Sequence, residues 1–102
     1  MSNEFNGKTA IISGAAGGIG FALAEALGKQ GMNIVMGDID IQALAVSRQS
    51  LLDKGVNVLA CELDVTDFKQ WQDVVQRAKS TYGKVHMVIN NAGVGGIPGK
   101  IE

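Results

Sequence analysis

The apolar positions of this chain follow two rhythms. Short runs with almost no polar interruption occur at Thr9–Ser13 (TAIIS), Asn33–Gly37 (NIVMG), Val56–Leu63 (VNVLACEL) and Val85–Asn90 (VHMVIN). Such runs, rich in β-branched residues, predict strands buried on both faces, the kind found in parallel sheets. Between them, apolar residues recur at helical spacing. Ile19–Gln30 carries Ile19, Leu23, Ala26 and Leu27 on one side, and Ile41–Lys54 carries Ile41, Leu44, Ala45 and Leu52. In Asp67–Tyr82, Phe68, Trp71, Val75, Ala78 and Tyr82 step by 3, 4, 3 and 4, with Thr66 as the expected N-cap. Gly31, Gly55 and Gly83 stand where left-handed helix stops are expected.

The predicted order is βαβαβαβ. Strands that alternate with helices imply an α/β fold, a parallel sheet with right-handed crossovers and helices on both faces. In a doubly wound sheet of order 3-2-1-4, the connection reverses between the first and fourth strands. The crevice at that reversal, at the carboxyl ends of the strands, is where such folds bind ligands. The loops that reach it are both rich in glycine: GAAGGIG after the first strand and NAGVGG after the fourth. No linker divides the 102 residues, so they are read as one unit.

Ser13–Gly20 (SGAAGGIG) places Gly14, Gly18 and Gly20 in the spacing G-x-x-x-G-x-G. Backbone without side chains can approach a pyrophosphate closely, and the helix that follows turns free N–H groups and its positive dipole end toward the anion. The same glycines also suit a tight strand-to-helix turn with no ligand. A P-loop is excluded: Gly7–Thr9 (GKT) precedes the first strand, and Ser2 occupies the place of the first required glycine.

Asp38 ends the second strand, eighteen residues after Gly20. In a dinucleotide fold an acid here accepts hydrogen bonds from the adenosine ribose. A charge-assisted bond of this kind contributes roughly 1.5–3 kcal/mol. The same carboxylate repels a 2′-phosphate. No lysine or arginine lies in Ala15–Gly18 to neutralise that phosphate, so NAD is expected over NADP. Asp38 or Asp40 could instead cap the second helix, and Asp40 is the better placed of the two.

LDVTD at Leu63–Asp67 and NNAG at Asn90–Gly93 complete a set with SGAAGGIG. Together they resemble the classical short-chain dehydrogenase/reductase family, from about Gly7 to Gly93, with Ser13 where the family usually has threonine. The resemblance implies a Rossmann-type fold and an NAD(H)-dependent oxidoreductase that transfers hydride between nicotinamide and an alcohol or carbonyl substrate. It implies that Gly14, Ala15, Ala16, Gly17, Gly18, Ile19 and Gly20 hold the pyrophosphate and nearby ribose, and that Asp38 selects NAD. Asp64 would approach the adenine, and the Val65 backbone would complete that pocket. Asn90 would tie strand to loop, with Ala92 and Gly93 near the cofactor. Asp64 as a cap and NNAG as a plain turn are the ordinary alternatives.

The family's chemistry rests on a tyrosine, a lysine four residues later, an upstream serine and an asparagine beyond the fourth strand. The sole tyrosine here, Tyr82, is followed four residues on by His86 and lies on an apolar helical stripe. The chain is therefore expected to be the amino-terminal, cofactor-binding part of a longer enzyme, inactive alone. Its fourth strand would be an exposed apolar edge prone to self-association. A non-catalytic dinucleotide-binding module and a S-adenosylmethionine-dependent methyltransferase are the alternatives, the second disfavoured by NNAG.

Charge and composition narrow the partners. A net charge of −1 with no basic cluster gives no footprint for nucleic acid or an anionic membrane. No apolar stretch approaches the ~20 residues of a membrane span. The chain starts without a signal-peptide pattern, and the single cysteine, Cys61, suits a reducing compartment, so a cytoplasmic location is expected. Cys61 reads as a packed thiol and His86 as a structural or surface histidine. No metal-ligand spacing occurs.

Overall fold

A computed structural model describes residues 4–91. The elements run β1 (Thr9–Ser13), α1 (Gly18–Lys29), β2 (Asn33–Asp38), α2 (Ile41–Asp53), β3 (Val58–Glu62), α3 (Phe68–Tyr82) and β4 (Met87–Asn90). All three strand pairings are parallel, in the order β3-β2-β1-β4. The chain moves outward from β1 to β3 and then returns to the far side of β1. Ser13 lies level with Gly37 and with Asn90, so β1, β2 and β4 end together at one edge of the sheet.

Alternation along the strands divides the core into two layers. Ala10, Ile12, Ile34 and Met36 face Ala24 of α1 and Leu44 and Leu51 of α2. Ile11, Val35 and Cys61 face Val74 and Ala78 of α3. Two helices thus cover one face and one covers the other, the doubly wound α/β arrangement that the alternating pattern predicts. β1 is buried along its whole length because it has a strand on each side and helices on both faces. β4 comes from an equally apolar run, but it lies at the edge of this sheet and is more open than β1, as expected of an edge strand. Its residues alternate between half-buried and exposed, and Val88 is 53% exposed. Among the described residues β4 pairs with β1 alone.

The helix faces differ from the periodic reading. In α1 the buried residues are Gly20, Ala24 and Gly28, while Ile19 is 71% exposed. A Cβ on Gly28 would stand 2.6 Å from a Val56 methyl, so α1 rides too close to its neighbours for large side chains on its contact line. Leu23 and Leu27 pack at its flanks. In α3 the contact line is Val74 and Ala78, with Trp71, Val75 and Tyr82 packed beside it, and Phe68 is 73% exposed at the first turn. α3 is capped by Asp67, whose carboxylate accepts from Gln70 N at 3.1 Å, and not by Thr66. Thr66 is already turned to Asp64, donating to its carboxylate through both the backbone N–H and the hydroxyl. Gly31, Gly55 and Gly83 have φ between 82° and 93°, as left-handed stops require.

Candidate functional site: the crevice at the carboxyl edge of β1, β2 and β4

The loop from Gly14 to Gly17 leaves β1 and turns into α1. Gly14 and Gly18 have φ of 66° and 59°, a region that costs other residues roughly 1–2 kcal/mol. Gly20 is needed for another reason. A Cβ there would lie 2.0 Å from the Gly14 carbonyl oxygen, so the first turn of α1 packs directly on the strand exit. That carbonyl also accepts from Asn91 Nδ2 at 3.2 Å. Ala15 is fully buried, and its N–H donates to the Gly37 carbonyl at 3.1 Å, which fastens the loop to β2. Gly17, Gly18 and Ile19 are exposed, and a Cβ on Gly17 or Gly18 would meet nothing within 4 Å.

The helix starts are unequal. α2 is capped by Asp40, whose carboxylate accepts from Ala43 N at 3.0 Å, as its position predicts. α3 is capped by Asp67. α1 has Gly17 at its N-cap, with no side-chain cap hydrogen bond, and like α2 and α3 it has no acid in its first turn. Its first N–H groups therefore lack a side-chain acceptor, and the positive end of its dipole is not neutralised by an acid there.

With Asp40 capping α2, Asp38 is not used as that cap, but neither is it idle. Oδ2 accepts from Ala16 N and Oδ1 from Asp40 N, each at 3.0 Å. The carboxylate is half-buried at the end of β2 and tied to the glycine-rich loop. Two bonds leave acceptor capacity on its oxygens.

Asp64 lies in the turn after β3. Its carboxyl is held below the usual carboxylate range by the Thr66 hydroxyl first and the Thr66 N–H second. Its own N–H donates to Gln70 Oε1 at 2.6 Å, and Trp71 Nε1 donates to the Val65 carbonyl at 3.0 Å. Two α3 side chains thus brace the Asp64–Val65 segment. Asn90 and Asn91 divide the joining of β4 to its neighbours. Asn90 Oδ1 accepts from Ser13 Oγ at 2.8 Å, strand to strand, and Asn91 reaches the loop carbonyl. Ala92 and Gly93 lie outside the described residues.

Gln70 and Ser47 are neighbours of the site that lie outside the motifs, and Asn91 lies within NNAG without an assigned role. Ser47 had a signal: it is a polar residue on the buried line of α2, between Leu44 and Leu51. Its hydroxyl donates to the Ala16 carbonyl.

Two depressions flank β3: one of about 490 Å³ lined by Cys61, Glu62, Asp73 and Arg77, the other of about 370 Å³ lined by Ile41, Leu44, Arg48 and Leu59. Neither is lined by the glycine-rich loop. Burial pushes the Cys61 thiol up, with Arg77 partly opposing, as suits a packed thiol. Burial likewise pushes up Tyr82, with Arg48 opposing. His86 is exposed, yet it extends the β1–β4 pairing. Its Nδ1 accepts from Thr9 N at 3.0 Å, and its N–H donates to the Thr9 carbonyl. Among the described residues no group of acids, histidines or cysteines could hold a metal ion, and no helix is long and apolar enough to cross a membrane.

A family profile described as short chain dehydrogenase matches residues 8–102. The chain belongs to the short chain dehydrogenase family. A CLA biosynthesis dehydrogenase/reductase of Lactiplantibacillus plantarum is 40% identical over 98 residues, covering 96% of this chain and 34% of that protein. A short chain dehydrogenase/reductase from Burkholderia phymatum, solved in complex with NAD, superposes with a TM-score of 0.81 at 38% identity, covering 86% of this chain and 31% of that one. L-Sorbose reductase from Gluconobacter frateurii, solved with NADPH and L-sorbose, gives a TM-score of 0.84 at 36% identity, over 91% of this chain and 36% of that one. This short chain dehydrogenase sequence spans about a third of the length of each. The match gives no support to the methyltransferase alternative.

Proposed function

We propose that this chain is the cofactor-binding part of an NAD(H)-dependent oxidoreductase that acts on an alcohol or carbonyl substrate. The observation that carries the proposal is the uncapped start of α1 beside the Asp38 carboxylate, at the point where the strand order reverses. The glycine-rich surface fits a dinucleotide: Gly17 and Gly18 leave open space where side chains would block an approach, and the first turn of α1 carries no acid. In this reading the backbone from Gly14 to Gly20 holds the pyrophosphate. Asp38 accepts from the adenosine ribose and repels a 2′-phosphate. Asp64 and Val65 border the adenine, and Asn90, Ala92 and Gly93 border the nicotinamide side. Both cofactor forms occur among the relatives, NAD in one structure and NADPH in another. The preference for NAD rests on the charge of Asp38.

The nicotinamide, when bound, supplies hydride transfer; the residues here bind and orient it. The general acid/base and the substrate pocket are proposed to lie in the part of the relatives that this chain does not span, so the chain alone would not turn over substrate. The test is a titration with NADH, following energy transfer from Trp71, with NADPH in parallel. Saturable binding that is weaker for NADPH supports the proposal. A folded chain that binds neither refutes it. We further propose that the isolated chain self-associates along β4. Sedimentation velocity showing a monomer at all concentrations would refute that.

A further inference from the structure

The two peptide units that flank the Ala16 Cα are each held by the β2–α2 unit. The Ala16 N–H donates to Asp38 Oδ2 at 3.0 Å, and the Ala16 carbonyl accepts from Ser47 Oγ. Ser47 is buried on α2, and its place on the contact line between Leu44 and Leu51 would suit an apolar residue equally well. A buried hydroxyl needs a partner, and this one reaches across to the glycine-rich loop, thirty-one residues earlier in the chain. Loops dense in glycine lose much conformational freedom on ordering, and a ligand that must order one binds more weakly. Two bonds that fix the peptide units on either side of Ala16 beforehand remove part of that cost.

We infer that Ser47 is a positioning residue for the dinucleotide: its hydroxyl holds the Ala16 carbonyl, in the peptide unit that carries the Gly17 N–H, and so presets the amides of the glycine-rich loop for the pyrophosphate. The inference rests on the proposed cofactor site, but it makes a separate claim about the free chain. Ser47 acts through Ala16 and does not touch the cofactor. It therefore affects NAD(H) and NADP(H) alike, whereas Asp38 discriminates between them.

The experiment compares wild type, Ser47→Ala and Ser47→Thr by two readouts: hydrogen exchange at the Ala16 amide in the free chain, and NADH and NADPH titrations. Loss of one neutral hydrogen bond corresponds to about 3- to 10-fold in an equilibrium constant. Ser47→Ala is expected to speed Ala16 exchange and to weaken both cofactors by about that factor, with their ratio unchanged. Ser47→Thr, which keeps the hydroxyl, is expected to restore both. Unchanged Ala16 exchange in Ser47→Ala would overturn the inference, as would a loss that threonine does not rescue. If Ser47→Ala does not fold, Ser47→Cys keeps the volume with a weaker donor, and wild-type exchange in it overturns the inference equally. If wild type binds no dinucleotide, the proposed function falls, while the exchange at Ala16 still decides the role of Ser47.

Discussion

Three helices of this chain begin at the carboxyl edge of one sheet, and two of them are closed by an aspartate. Asp40 caps α2 and Asp67 caps α3, each accepting from a backbone N–H of the first turn. α1 begins with glycine and has no side-chain cap. An aspartate cap contributes about 0.5–2 kcal/mol over alanine and satisfies donors that would otherwise face water. Where the sequence omits it, the donors stay open to an anion. In α2 and α3 a side chain closes the first turn; in α1 none does, and that is where the dinucleotide is proposed to bind.

The sharpest way to break this contrast is to close α1 as the others are closed. Gly17 has an extended backbone, φ −166°, and a Cβ there meets nothing within 4 Å, so Gly17→Asp fits without strain. The new carboxylate would cap α1 and occupy the place proposed for the pyrophosphate. Stability should rise by only a few tenths of a kcal/mol, roughly the margin of a good cap over glycine. NADH affinity should fall by about a hundredfold or more, because like charges at close range cost several kcal/mol. A variant with unchanged stability and unchanged NADH binding would show that the start of α1 is not where the anion sits.

Asp38→Ala comes next. It removes a charge-assisted bond, about 10- to 100-fold in NADH affinity, and the repulsion that disfavours a 2′-phosphate. The NADH-to-NADPH ratio should collapse toward unity. Parallel losses for both cofactors would mean that Asp38 serves only to hold Ala16 and Asp40. Comparison with Ser47→Ala, for which parallel losses are expected, separates selection from positioning.

The contrast between helix starts was partly legible in the sequence. Asp40 is readable as a cap because it immediately precedes an apolar periodic run, and the glycine loop is readable because glycine spacing is local chemistry. The order of strands and helices is legible for the same reason, since periods of 2 and 3.6 are properties of a few consecutive residues. Burial is not. Periodicity puts Ile19 and Phe68 on contact faces, yet both are exposed: α1 meets the sheet through Gly20, Ala24 and Gly28, and α3 through Val74 and Ala78. Strand β4 looks as apolar as β1, but β1 has neighbours on both sides and β4 has one among the described residues. Nor could the sequence join Ser47 to Ala16, which meet only after β2 turns back into α2. The cap of α3 lies one residue beyond Thr66 although Thr66 and Asp67 are both good caps in isolation. Only the turn geometry shows that Thr66 is taken by Asp64.

That last pair gives the mildest test. Asp67→Ala should cost about 0.5–2 kcal/mol in denaturant unfolding, the usual loss of a cap. Thr66→Val should cost less, since Thr66 is exposed and caps nothing, but it should leave a specific trace at Asp64. The Thr66 hydroxyl is the foremost cause that holds the Asp64 carboxyl below its ordinary value of 3.8. Without it, the Asp64 titration followed by NMR should move upward. The sign of the linked stability follows from a folded value that lies below the unfolded one. Whatever Asp64 contributes is fully present above the unfolded value and is lost as pH falls through the folded one. Wild type and Thr66→Val should therefore differ most near neutral pH and converge in acid. If Thr66→Val instead matches the loss of Asp67→Ala and leaves the Asp64 titration in place, Thr66 is the working cap of α3. The division between a braced Asp64 turn and an Asp67-capped helix would then be wrong.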